Sequence, residues 1–252
     1  MLSQFDGLWW LLLLLGPLIF LQRTLHRELQ AVLLLLSRRV EIALVMFSLL
    51  FFPGVLLHEL SHYLMARLLR VRTERFSLIP RRMGDNRLQM GFVETVQTDI
   101  LRDALIGSAP LVAGGVFVAY AGVMRLGFLS LWDALVSGNL LAAADGIAAI
   151  YALPDFWLWF YMIVAVSSTM LPSSSDRRAW LPVVLVTALV IGLAVLFGAG
   201  PWMSVHLLPP LNEALRAVAV VFAISSAVHL IVLAPIWMLR KSISRLTGMQ
   251  VG

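Results

Sequence analysis

Between Ile42 and Leu57 the chain runs for sixteen residues without a charge, then places His58, Glu59, Leu60, Ser61 and His62 in succession. Apolar runs recur at about 7–21, 42–66, 104–124, 156–172, 179–198 and 215–238. Runs near twenty residues match a hydrocarbon core of about 30 Å. Only 13% of the 252 residues are charged, where a soluble domain carries about 25%. The expected fold is therefore an all-α polytopic membrane protein with about six transmembrane helices. The first run is short and reads as a span that tilts little or continues into the amphipathic segment 22–36. Segment 131–150, with Asp133, Asn139 and Asp145, reads as an interfacial or re-entrant piece. The opening MLSQFDGLWWLLLLLG lacks the basic start and small-residue cleavage site of a signal peptide, so it reads as a retained span.

The chain has no cysteine. Disulfides and thiolate ligands are thereby excluded, and any zinc would need His, Asp or Glu. The net charge of +5 comes almost entirely from arginine, Lys241 being the one lysine. In so apolar a chain this points to membrane topology and anionic headgroups, and away from nucleic acid. Placing the end of the His58–His62 helix at the cytoplasm puts 13 of the 19 basic residues inside, among them Arg70, Arg102, Arg177 and Arg240. The positive-inside rule favours that orientation. Arg23, Arg27, Arg38 and Arg39 count against it, because six alternating spans leave them outside. Oligomeric state is not legible.

A hairpin is expected between the second and third spans, from Phe76–Pro80 and Leu88–Val96 around a Gly84-Asp85-Asn86 turn. Its edge could hold an extended substrate, with Phe92, Val93 and Glu94 as candidate substrate-binding residues. The other reading of this stretch is a basic, solvated loop.

An ionisable side chain at bilayer depth costs roughly 2.5–3.5 kcal/mol on the mildest scale, so its default reading is functional. His58 and His62, four apart on a helix, project from one face and can ligate one metal. Glu59 between them can act on a bound water. The competing reading is two surface histidines near the interface with a snorkelling Glu. Catalytic zinc sites hold three protein ligands and leave one position open. Asp176 fits best as the third, because it follows a span broken by Pro172 and returns to the same end of the bundle. It could instead cap the helix that starts at Arg177. His229 reads as a helix-packing residue, His206, Asp145 and Asp155 fall on the opposite side, and Glu94 reads as surface-facing. Gly54 and Gly114-Gly115 read as packing contacts or as part of a gate.

Taken in order, His58–His62, Gly107-Ser-Ala-Pro110 and Pro172…Asp176 resemble the site-2 protease family of intramembrane zinc metalloproteases, in a compact form without a PDZ or other accessory domain. The resemblance covers roughly residues 42–180, between an N-terminal part (1–41) and C-terminal spans (181–252). It implies one Zn²⁺ per chain held by His58, His62 and Asp176, with Glu59 as the catalytic residue. It also implies a transmembrane protein substrate cut near the cytoplasmic face of a prokaryotic cytoplasmic membrane. Two departures stand out. Thr169 occupies the position of the family's Asn, and Arg177 stands where Gly follows the Asp, with Pro172 one residue closer than usual. Ser173, Ser174 and Ser175 are candidates for the missing Asn's role. The alternative is a metal-binding membrane protein without protease activity, a transporter or an inactive regulator. Transporters spread polar groups over several spans and show repeats, which this chain does not. A protease of lipid-modified C-termini would need a Glu motif that is absent.

Overall fold

The computed structural model describes residues 5–78, 81–82, 88–89, 91–96 and 98–249. Helix α1 (Asp6–Ser37) continues through the first apolar run and the amphipathic segment after it as one helix. Arg38 ends it in the left-handed conformation. Then come α2 (Val40–Leu50) and α3 (Phe52–Leu68), which carries the His-Glu-Leu-Ser-His run. Strands β1 (Thr73–Ser77), β2 (Arg81–Arg82), β3 (Leu88–Gln89) and β4 (Phe92–Thr95) follow. They lead to α4 (Ile100–Ala119), which ends in a π-helical turn at Tyr120–Arg125. The rest is helical: α5 (Phe128–Val136), α6 (Leu140–Tyr151), α7 (Phe156–Ser167), α8 (Trp180–Leu196), α9 (Gly200–His206) and α10 (Leu208–Thr247).

Three helical stretches, Asp6–Ser37, Ile100–Arg125 and Leu208–Thr247, are long and apolar enough to cross a membrane. Up to six qualify if each bent pair is one span: α2 with α3 (67°), α6 with α7 (94°) and α8 with α9 (118°). Each bend has a local cause. Pro53 opens α3, Pro154 lies between α6 and α7, and Gly198 takes φ +89° before Pro201. Residues 131–150, expected as an interfacial or re-entrant piece, form most of α5 and α6.

The longest contact is between α1 and α10, and it is parallel. Asp6 meets Arg216 and Asn212 at one end, and the buried Glu28 pairs with Arg240 at the other. Six alternating crossings would set the first and last spans antiparallel. With α1 and α10 both crossing, the number of crossings is odd. Arg38 and Arg39 then fall on the side of Arg240, Lys241 and Arg245.

The expected hairpin is present as an antiparallel pairing of β1 with β4, Phe76 opposite Val93 and Ser77 opposite Phe92. Its first strand begins at Thr73, earlier than the alternation indicated. Strands β2 and β3 extend it as a second short pairing, and the Gly84-Asp85-Asn86 turn lies outside the described residues. Asp99 caps α4 by accepting the Arg102 N–H at 3.0 Å, which holds its carboxyl below the usual carboxylate range.

The main core lies where α1, α4, α7 and α10 meet, around Leu18, Val118, Ile163, Met170, Phe222 and Val228. A second cluster, with Leu25, Phe47, Phe51, Val55 and Ala165, fixes the bend between α2 and α3 against α1 and α7. At one end of this assembly the last turn of α3, the β1–β4 sheet, the start of α4 and the turn after α7 come together. Arg67, Arg70, Arg72, Arg75, Arg102, Arg177 and Arg178 all lie on these elements.

Candidate metal centre

Backbone contacts bring the pieces of the site together. Glycine permits two of the closest approaches. A Cβ at Gly54 would stand 2.2 Å from the Ala165 carbonyl oxygen, so α3 and α7 touch backbone to backbone. A Cβ at Gly107 would stand 2.0 Å from the carbonyl oxygen of Asp176, so the opening of α4 carries the turn that holds Asp176. Gly114 likewise admits the Met170 side chain. Gly54 and Gly114, left open as packing contacts or gate residues, are both seated in packed interfaces.

On this scaffold His58, His62 and Asp176 converge, each offering a ligand atom within 4.8 Å of the others. The separations are 3.2 Å between the two Nε2 atoms, 3.4 Å from His62 Nε2 to Asp176 Oδ1 and 3.8 Å from His58 Nε2 to Asp176 Oδ2. The protons of both rings are committed elsewhere. His58 Nδ1 donates to the Thr169 carbonyl at 2.6 Å, and His62 Nδ1 donates to the Ile106 carbonyl at 2.8 Å. A neutral imidazole that donates at Nδ1 has only a lone pair at Nε2. Two lone pairs and a carboxylate thus face one point, an arrangement that repels itself unless a cation stands there. Tetrahedral zinc with bonds of about 2.0–2.1 Å sets its ligand atoms about 3.3 Å apart, close to the three separations here. The donor set fits such an ion. The carbonyl contacts are of the kind that orients imidazoles in metal sites.

Asp176 is held by its own turn. Its Oδ2 accepts the Ser173 N–H at 2.7 Å, and its N–H reaches back to Ser173 Oγ at 3.3 Å. It does not cap the next helix: α8 starts at Trp180, and the residue before it, Ala179, makes no side-chain cap. Pro172 breaks the chain as expected, with α7 over by Ser167. Thr169 turns its hydroxyl back onto the Ala165 and Val166 carbonyls, so its backbone rather than its side chain serves the site. Ser173 and Ser175 hydroxyls bond to one another at 2.7 Å.

Glu59 is buried, one residue along α3 from His58. Its carboxyl interacts electrostatically with His62 and Asp176. Gly91, just before β4, lies against it: a Cβ there would stand 3.1 Å from Glu59 Oε1. Val93 and Glu94 of β4 line a cavity of about 340 Å³ together with His62, Gly107, Ser175 and Asp176. Phe92 is half-buried in the same strand but is not among the residues lining that cavity. Glu94 is exposed, as expected, and faces Arg75 at 3.8 Å.

The other candidates stand apart. His229 is fully buried and accepts from Ser168 Oγ at 3.0 Å, a packing contact between α10 and α7. His206 stacks on Trp202, and Asp155 binds Arg125 and Trp159. The sequence reading passed over Ile106, Gly91 and the carbonyl of Thr169. Only the proline four residues after Ile106 could have pointed to its carbonyl. No family model, no curated protein and no solved structure matches the chain.

Proposed function

We propose that the chain is a zinc-dependent endopeptidase that cuts a membrane-embedded protein substrate near the cytoplasmic face of a prokaryotic cytoplasmic membrane. The observation that carries this reading is the meeting of two Nδ1-protonated imidazoles and a carboxylate beside a buried Glu, in a chain made of long apolar helices. Three protein ligands of N and O type, with no thiolate, are the donor set of catalytic rather than structural zinc. When bound, zinc would lower the pKa of water toward about 7 and polarise a carbonyl. Glu59 would take the proton of the attacking water and return it to the leaving amine. Its burial under Gly91 keeps bulk water off the carboxyl. The cavity along Val93 and Glu94 is where an unwound stretch of substrate would lie, held beside β4 through backbone hydrogen bonds. The arginines gathered at this end support a cytoplasmic site.

The test pairs Glu59→Gln with metal analysis of the purified chain. About one zinc per chain should remain while cleavage of a single-span reporter falls by roughly 100-fold or more, the range of general acid–base catalysis. Cleavage that survives in Glu59→Gln would end the mechanism. Zinc bound by a wild-type chain that cleaves nothing would favour a metal-binding protein without protease activity.

A further inference from the structure

Both histidines are oriented by backbone carbonyls, and in an unbroken α-helix neither carbonyl would be available. Each would accept the N–H four residues ahead. Four residues beyond Ile106 stands Pro110, buried inside α4, and proline has no N–H. Four residues beyond Thr169 stands Ser173, whose N–H is given to Asp176. Between them Pro172 leaves the Ser168 carbonyl without its helical donor, and Gln22 of α1 takes it. A carbonyl released inside the hydrocarbon must find another donor within the protein. For Ile106 that donor is the His62 ring, at 2.8 Å.

We propose that Pro110 is a positioning residue of the metal centre. It withholds the N–H that would close the α4 ladder onto Ile106, and so leaves that carbonyl to His62 Nδ1. The bond fixes the proton on Nδ1 and turns the Nε2 lone pair toward His58 and Asp176. A proline kept only to bend or pack α4 would act through its ring; this role belongs to the missing N–H. The inference rests on the metal reading above, and the two fail differently.

The experiment compares two changes at one position in the full chain. Pro110→Ala removes the ring and restores an N–H. Lactic acid, the α-hydroxy analogue of alanine, installed at the same position removes the ring but supplies an ester oxygen and no N–H. Zinc affinity is read by competition with a chromophoric chelator, and ligand geometry by the visible spectrum of the Co²⁺ form. Pro110→Ala should bind zinc about 10-fold or more weakly, the range for losing a ligand's hydrogen-bond partner, with a shifted Co²⁺ spectrum. The lactic acid variant should keep both the affinity and the spectrum of the wild type. Pro17→Ala and Pro235→Ala, at prolines inside α1 and α10, should leave the affinity unchanged. Equal weakening by alanine and lactic acid would assign the effect to the ring and overturn the proposal, as would unchanged affinity in Pro110→Ala. A wild-type chain that holds no zinc would remove the metal reading itself.

Discussion

The segment around His58, His62 and Asp176 and the long helices α1, α8 and α10 solve the problem of a membrane interior in different ways. Helices α1, α8 and α10 run on over 32, 17 and 40 residues, so their ladders satisfy most of the backbone internally, with Pro17 and Pro235 as interruptions inside α1 and α10. Helix α8 buries none of its residues. Around the triad the helices are bent or ended, and side chains take up the carbonyls set free: His58 on Thr169, His62 on Ile106, Gln22 on Ser168. Broken backbone at depth is tolerated only where protein re-satisfies it, and here two of the groups doing so are the imidazoles of the candidate metal triad. Gly54 and Gly107 beside the triad stand where a Cβ would strike backbone, as does Gly7 of α1 against Asn212 of α10, whereas Gly16 in α1 and Gly192 in α8 have nothing within 4 Å.

Substitutions can break this contrast. Asp176→Ala should have the largest effect, weakening zinc binding by more than the roughly 100-fold upper range for losing an orienting partner; equilibrium dialysis against zinc measures it, and an unchanged stoichiometry would point to a different ligand. Gly107→Ala comes next. Its Cβ must displace the Asp176 backbone, so zinc affinity should drop about 10-fold and stability by about 1–3 kcal/mol, read together by chelator competition and chemical denaturation. Gly54→Ala should cost a similar 1–3 kcal/mol through the α3–α7 contact, with a smaller loss of zinc; the ratio of the two losses separates packing from ligand placement. Gly192→Ala is the smallest and has the opposite sign, a gain of about 0.5–1 kcal/mol from helix propensity with zinc binding untouched. A destabilising Gly192→Ala would show that α8 packs against something in the bilayer.

Much of the site could be read locally. The His58–His62 spacing works because helical periodicity places i and i+4 on one face, and Asp176 was reachable because a charge beside a proline-broken apolar run has few other reasons to be there. The hairpin was legible from turn residues and alternation, though β1 starts earlier than its apolar residues indicate, at Thr73, with Glu74 and Arg75 exposed. Span count was less accessible. Hydropathy counts apolar residues and carries no direction, so it could not show that α1 and α10 run parallel through Asp6–Arg216 and Glu28–Arg240.

By itself the sequence determined that the chain is helical and apolar, that one face of α3 carries two imidazoles and a carboxylate, and that prolines stand at 110 and 172. These follow from residue chemistry and short-range geometry. Only the tertiary structure decided that His62 takes the Ile106 carbonyl, His58 that of Thr169 and Gln22 that of Ser168, and that Asp176 closes the triad with His58 and His62. Such matters depend on contacts between residues 44 to 146 positions apart, where the approach of one backbone to another, admitted by Gly54 and Gly107, selects the partners.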